Sequence, residues 1–342
     1  MKRTTALFLA LVVALVFAFP AFSAISTPLV RINLIRTTVI TQQQLDEKLA
    51  KYKEAYGDAI DSNTVLEAMI SDELLAQAME RDGYVLSEDA KNELLKAQKT
   101  SIEQQYGIQL TDEQFAEVIQ SNYGISLDEF KNYIADQYSV QNYVLTAKKD
   151  MFTEENVMPT NTEIEDFYKK NKSTFISPEN VKLAHVFFEF GDDKNAALKK
   201  ANDVALQIKT GKITFEKAVA QYSEDKNSVE KAGDIGWLAI NDADNQQVMG
   251  QNFFDKVFAL DTGEVSGVIE SNAGYHIVKV SVHNDTKILG IDDKTSPTSD
   301  TTVRDYITNG LYEQKMNAVF QQAYLSLISD LKNAASIRYL TK

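Results

Sequence analysis

Apolar residues recur with two spacings along this chain, and the spacings divide it. From residue 41 to residue 168 they return every three or four positions, the period of a helix with one buried face. From residue 181 to residue 282 short runs alternate apolar with polar, the period of a half-buried strand, and helical stretches separate them. Ahead of both, Leu29-Val30-Arg31-Ile32-Asn33-Leu34-Ile35 alternates and reads as a strand. Together these predict an α+β protein.

Start and stop signals sharpen the helices. Thr41 with Gln44, Thr111 with Gln114, Ser126 with Glu129 and Thr160 with Glu163 have capping-box spacing. Asn63 or Thr64 opens a run through Met69, Leu74, Leu75 and Met79 that Gly83 ends, and Ser87 opens another that closes near Gly107. Tyr106-Gly107-Ile108-Gln109-Leu110 is echoed by Tyr123-Gly124-Ile125-Ser126-Leu127. Two copies are too few for a solenoid, so this reads as a helical hairpin that reuses good caps. In the alternating segment, strands are expected over 183–190, 235–240, 265–270 and 276–282. Helices are expected after Asp193, from Phe215 through Tyr222, and from Asn252 through Phe258. A polar stretch, 284–302, precedes a long helix over 303–333, and Ile337-Arg338-Tyr339-Leu340 reads as a terminal strand.

The chain has 342 residues, a net charge of −14 and no cysteine. That length allows two or three domains with real cores. The acidic balance argues against a nucleic-acid partner, since no basic face is available to phosphates. Without cysteine there are no disulfides and no thiol for a lipid anchor, so the fold depends on packing. At the amino terminus Lys2 and Arg3 precede an apolar run over 6–19, Pro20, and small residues at 21–24. This is the three-part secretory pattern. It predicts a signal peptide over 1–24 and a periplasmic or otherwise extracytoplasmic protein, with an uncleaved membrane anchor as the alternative.

Three motifs occur in one order in the alternating segment: Leu183-Ala184-His185-Val186, Gly233-Asp234-Ile235-Gly236-Trp237, and Gly274-Tyr275-His276-Ile277-Val278. Two of the three histidines lie within apolar strands, where an imidazole must find a hydrogen bond. This set resembles the parvulin family of peptidyl-prolyl cis/trans isomerases. The wider layout resembles the SurA/PrsA group of extracytoplasmic chaperone-isomerases. The resemblance implies a helical chaperone region at 25–177, a parvulin domain of four antiparallel strands inserted at 178–284, a linker at 285–302, and a carboxy-terminal helix at 303–342 that packs on the amino-terminal region.

It also implies a site. His185 and His276 match the family's paired histidines, and Ser271 its supporting hydroxyl. Asp225 matches the position that faces the twisting carbonyl, with Glu224 as a substitute because the following loop is long. Met249 and Phe253 match the proline-gripping positions, and Ile235 is a further wall residue. Phe258 reads as ordinary core. Glu189-Phe190-Gly191-Asp192-Asp193 stands where phosphate-preferring parvulins carry basic residues, so no phosphate-specific ligand is expected. The three histidines lack metal-ligand spacing, and neither metal nor cofactor is expected. The implied activity is isomerisation of Xaa-Pro bonds in unfolded or partly folded exported polypeptides, with association near a membrane left open. The alternative is a non-catalytic holdase with a parvulin-like binding module.

Overall fold

The computed structural model describes residues 26–340. The leader read over 1–24 lies outside the described residues. No helix among the described residues is long and apolar enough to cross a membrane. The described residues divide into two compact units, one formed by those up to 158 together with those from 312 on, and the other by residues 159–311.

In the first unit the strand Pro28–Asn33 lies between Thr37–Thr41 and Ser336–Tyr339, both antiparallel to it. Its alternation puts Val30 and Ile32 fully inside. The helices Gln42–Tyr56, Ser62–Asp82 and Leu127–Ala147 cover this sheet together with the later turns of Val303–Ala334. Ile70, Leu74, Val144 and Phe320 join the strand residues in one core. The capping boxes at Thr41, Thr111 and Ser126 are all formed. Gly83, Gly107 and Gly124 end their helices in the left-handed conformation. Gln77 is fully buried, and its Oε1 accepts from the backbone N–H groups of Leu34, Ile35 and Arg36. One helical side chain thereby satisfies a whole strand turn.

In the second unit a four-stranded antiparallel sheet has the order Asp234–Ala239, Asn180–Glu189, Gly274–Asn284, Val265–Glu270. Its two central strands bury residues on both faces. Val186, Phe188, Tyr275 and Ile277 meet the helices Lys194–Lys209 and Phe215–Tyr222. Val181, Leu183, Val278 and Val280 meet the helix Gln251–Val257 through Phe253, Phe254 and Val257. Strand periodicity puts His185 with Leu183, and His276 with Val278, on this second face.

The stretch 285–302 is folded, although its composition is that of a linker. Lys287–Ile288 pairs with Ile176–Ser177, and Lys294 bridges to Thr302. Leu289 is buried beside Ile164, Val303 and Ile307, with Ile291 packed against them. Two apolar residues in a polar run are enough to tie it down.

Candidate functional site

The two central strands bring the histidines together. His185 pairs with Val278 and Phe187 with His276, so the imidazoles are diagonal neighbours on one face. Their Nδ1 atoms are 3.0 Å apart. His185 Nε2 stands 2.9 Å from Asp225 Oδ2, and His276 Nε2 stands 2.8 Å from Ser271 Oγ. Four side chains from four segments thus form one hydrogen-bonded row.

Asp225 sets the direction of that row. Burial opposes its ionisation, but hydrogen bonds from Ser228, His185 and Asn227 outweigh it and hold the carboxyl below its ordinary value. A carboxylate only accepts, so His185 carries its proton on Nε2. Burial lowers the His185 pKa against the pull of Asp225. A neutral His185 then accepts at Nδ1 from the Nδ1–H of His276. Burial, with His185 alongside, pushes the His276 pKa down to about 3. Its Nε2 is left to accept from the Ser271 hydroxyl. That oxygen also accepts from the N–H groups of Ala273 and Gly274, which fixes it in the turn.

Asp225 divides its two oxygens between two tasks. Oδ1 accepts from the Asn227 N–H at the start of the helix Lys226–Val229, and Oδ2 is left for His185. Glu224, the alternative, is engaged elsewhere: it accepts from the Glu189 N–H and pairs with Lys200.

A cavity of about 210 Å³ opens beside the row. Leu183, Ile235, Met249 and Phe253 give it apolar walls, and His185, Trp237 and Asn245 add polar groups. Phe253 is only 1% exposed, and its ring meets His276 edge-on at 5.0 Å. Ile235 is 38% exposed at the rim. All seven residues read as site residues in the sequence therefore fall in the row or the cavity wall. Phe258 packs in the core behind, against Phe254. His283 lies apart from the row, bonded to Leu260 O and Glu179.

Two motif glycines make this approach possible. A Cβ on Gly274 would lie 2.2 Å from Phe188 O, and one on Gly233 would lie 2.6 Å from His185 O. Both turns must therefore press bare backbone onto the His185 strand. Four contributors are not among the site residues the sequence suggests. Leu183 and Trp237 lie within the motifs, where nothing local distinguishes them from ordinary strand residues. Asn245 sits in the polar run 241–247, on the helix Ala243–Met249, whose polar composition marks no site. Asn272 holds the methionine from behind: its N–H donates to Met249 O at 3.1 Å and its Nδ2 to Gln247 O at 3.1 Å. No local pattern announces that role. No cluster of three or more potential metal-binding side chains occurs among the described residues.

Residues 185–282 match the family described as Rotamase, PPIC-type PPIase domain. Among curated relatives, a foldase protein PrsA of Clostridium botulinum (strain Langeland) is 23% identical over 323 residues, 89% of this chain and 86% of its own. A foldase protein PrsA of Clostridium perfringens is 26% identical over 216 residues, 63% of this chain and 57% of its own. Among solved structures, a chain from the Campylobacter jejuni SurA-like chaperones PEB4 and Cj1289 is 19% identical with a TM-score of 0.35, over 90% of this chain and 98% of its own.

Proposed function

We propose that this chain, which carries a parvulin-type peptidyl-prolyl cis/trans isomerase domain at residues 185–282, is an exported foldase of the PrsA/SurA group. It would bind unfolded exported polypeptides and speed rotation about their Xaa-Pro bonds. The relatives named foldase protein PrsA align over most of the chain, beyond the isomerase domain, and support the foldase reading. The amino-terminal charge and apolar pattern supports export. The domain would be the insert read over 178–284, with the helical remainder as the chaperone part.

An Xaa-Pro bond turns over a barrier of about 18–20 kcal/mol because twisting breaks amide resonance. Neither proton transfer nor a covalent intermediate is needed. A catalyst must grip the ring and favour the twisted amide over the planar one. In this reading the proline ring enters between Leu183, Ile235, Met249 and Phe253. The carbonyl before it faces Asp225. A fixed negative charge there destabilises the planar form, in which that oxygen carries most charge. The His185, His276 and Ser271 row holds Asp225 and the cavity floor in place and stays neutral. The carrying observation is that the ring contact between Phe253 and His276 joins the apolar notch to the Asp225 row.

The test is proline-limited refolding of a reporter protein with the full chain. Acceleration that Asp225→Ala reduces at least tenfold supports the assignment. No acceleration, with aggregation of the reporter still suppressed, would leave the holdase reading in its place.

A further inference from the structure

We propose that Asn245 reads the main chain of the bound client, its side-chain oxygen accepting the N–H of the residue that follows the proline. This rests on the isomerase reading and adds a positioning residue to it.

Hydrogen-bonding capacity in the cavity leads to this residue. Three side chains in its wall carry polar atoms: His185, Trp237 and Asn245. Both ring nitrogens of His185 are occupied, one by Asp225 and one by His276. Trp237 can donate but not accept. Asn245 is therefore the cavity's one available side-chain acceptor. Its orientation is fixed by chemistry. Nδ2 lies 2.8 Å from Asp242 Oδ2, and the Asn245 backbone N–H donates to Asp242 Oδ1 at 3.0 Å. The hydrogen bonds of Asn245 and Asp242's neighbours hold the Asp242 carboxyl below its ordinary value. A carboxylate accepts only, so the amide cannot be flipped, and Oδ1 points away from Asp242. Among the described residues nothing donates to that oxygen.

The client supplies the complement. Proline has no N–H. The carbonyl before it faces Asp225 in the proposed mechanism. The next donor along the main chain is the N–H after the ring, which would be desolvated at the cavity mouth and costs free energy if left unpaired. A bond from backbone to Asn245 ignores side-chain identity, as a foldase with many clients requires. Asn245 would act by holding the strand beyond the ring still while the preceding amide turns.

The experiment uses the full chain and two proline tetrapeptides that differ by one N-methyl group on the residue after proline. Binding is followed by chemical-shift titration and turnover by exchange spectroscopy, for the unaltered protein and for Asn245→Ala. Methylation should weaken binding to the unaltered protein roughly fivefold, the worth of one net hydrogen bond. Asn245→Ala should weaken the parent peptide by a similar factor, with no further loss on methylation. Equal methylation effects in both proteins would overturn the proposal and point to a backbone carbonyl of the edge strand instead. Absence of turnover with either peptide would sink the isomerase reading, while the binding comparison would still decide the role of Asn245.

Discussion

His185 and His276 face each other Nδ1 to Nδ1 at 3.0 Å, with Asp225 and Ser271 at the outer nitrogens. Two neutral imidazoles can share such a contact only if one donates and the other accepts. The carboxylate end decides which. Nitrogen-detected NMR should therefore find His185 protonated on Nε2 and His276 on Nδ1. The His276 signals should hold constant from pH 8 down to pH 5, since its pKa lies at about 3. The reverse pair of tautomers would refute the stated direction of the row.

The histidines of the second unit pull its stability in opposite directions with pH. His185 and His276 are held below the ordinary histidine value by burial. The unfolded chain then takes up protons first, so stability drains as pH falls below about 6.5, where unfolded histidine titrates. His283 is the converse case. Nδ1 meets Leu260 O at 2.7 Å and Nε2 meets Glu179 Oε1 at 2.9 Å. Both partners are acceptors, so the ring satisfies them only as an imidazolium. Its pKa is raised by the Leu260 carbonyl, then, against some desolvation, by Glu179 and the nearby charge of Asp285. That stabilisation is complete below about pH 6.5 and fades as pH rises through the raised value. His283→Gln should lower Tm at pH 5.5 and change it little at pH 9. Thermal melts at the two pH values check this, and an equal loss at both would contradict it.

Gly274 is fixed by contact, Gly233 by contact and by a φ of +83°, and Gly236 by conformation alone. Gly233→Ala and Gly274→Ala drive a methyl into strand backbone and should each cost about 3 kcal/mol or more, at the upper end of overpacking. Gly236 has φ +88° with nothing near its absent Cβ, so Gly236→Ala should cost only about 1–2 kcal/mol of left-handed strain. Urea midpoints of the three variants give the order. A Gly236 variant as unstable as the Gly274 variant would show that left-handed strain costs as much as the backbone contact.

Much of this was legible because it is local. Helix starts at Thr41, Thr111, Ser126 and Thr160 follow from their caps, and the structure forms each. Val265–Glu270 begins and ends where alternation put it. The row of site residues came from family resemblance, since nothing local says that His185 meets a histidine 91 residues on. What escaped is long-range and polar. Gln77, inside a helix, serves a turn 41 to 43 residues away. Asn272 serves Met249 across two segments. Leu289 and Ile291 were hidden by the polar residues around them, and only the apolar face of Ile164 and Ile307 gives them a place.

Met249 and Phe253 line the same cavity but differ in burial, and this separates binding from folding. Phe253 is 1% exposed and contacts His276. Phe253→Ala should cost about 3–5 kcal/mol and lose activity through unfolding as much as through the site. Met249 is only partly buried. It sits at the end of the helix Ala243–Met249, with its backbone fixed by Asn272. Met249→Ala should cost about 1–2 kcal/mol in stability, below the usual core range because water already reaches the side chain. It should lower kcat/KM on a proline peptide roughly tenfold, since the ring loses one wall of its notch. Leu in place of Met249 keeps volume and apolarity and should restore most of that rate. Peptide isomerisation and chemical denaturation, run on all three variants, check both halves. If Met249→Ala turned over peptide as fast as the parent, Met249 would have no part in gripping the ring.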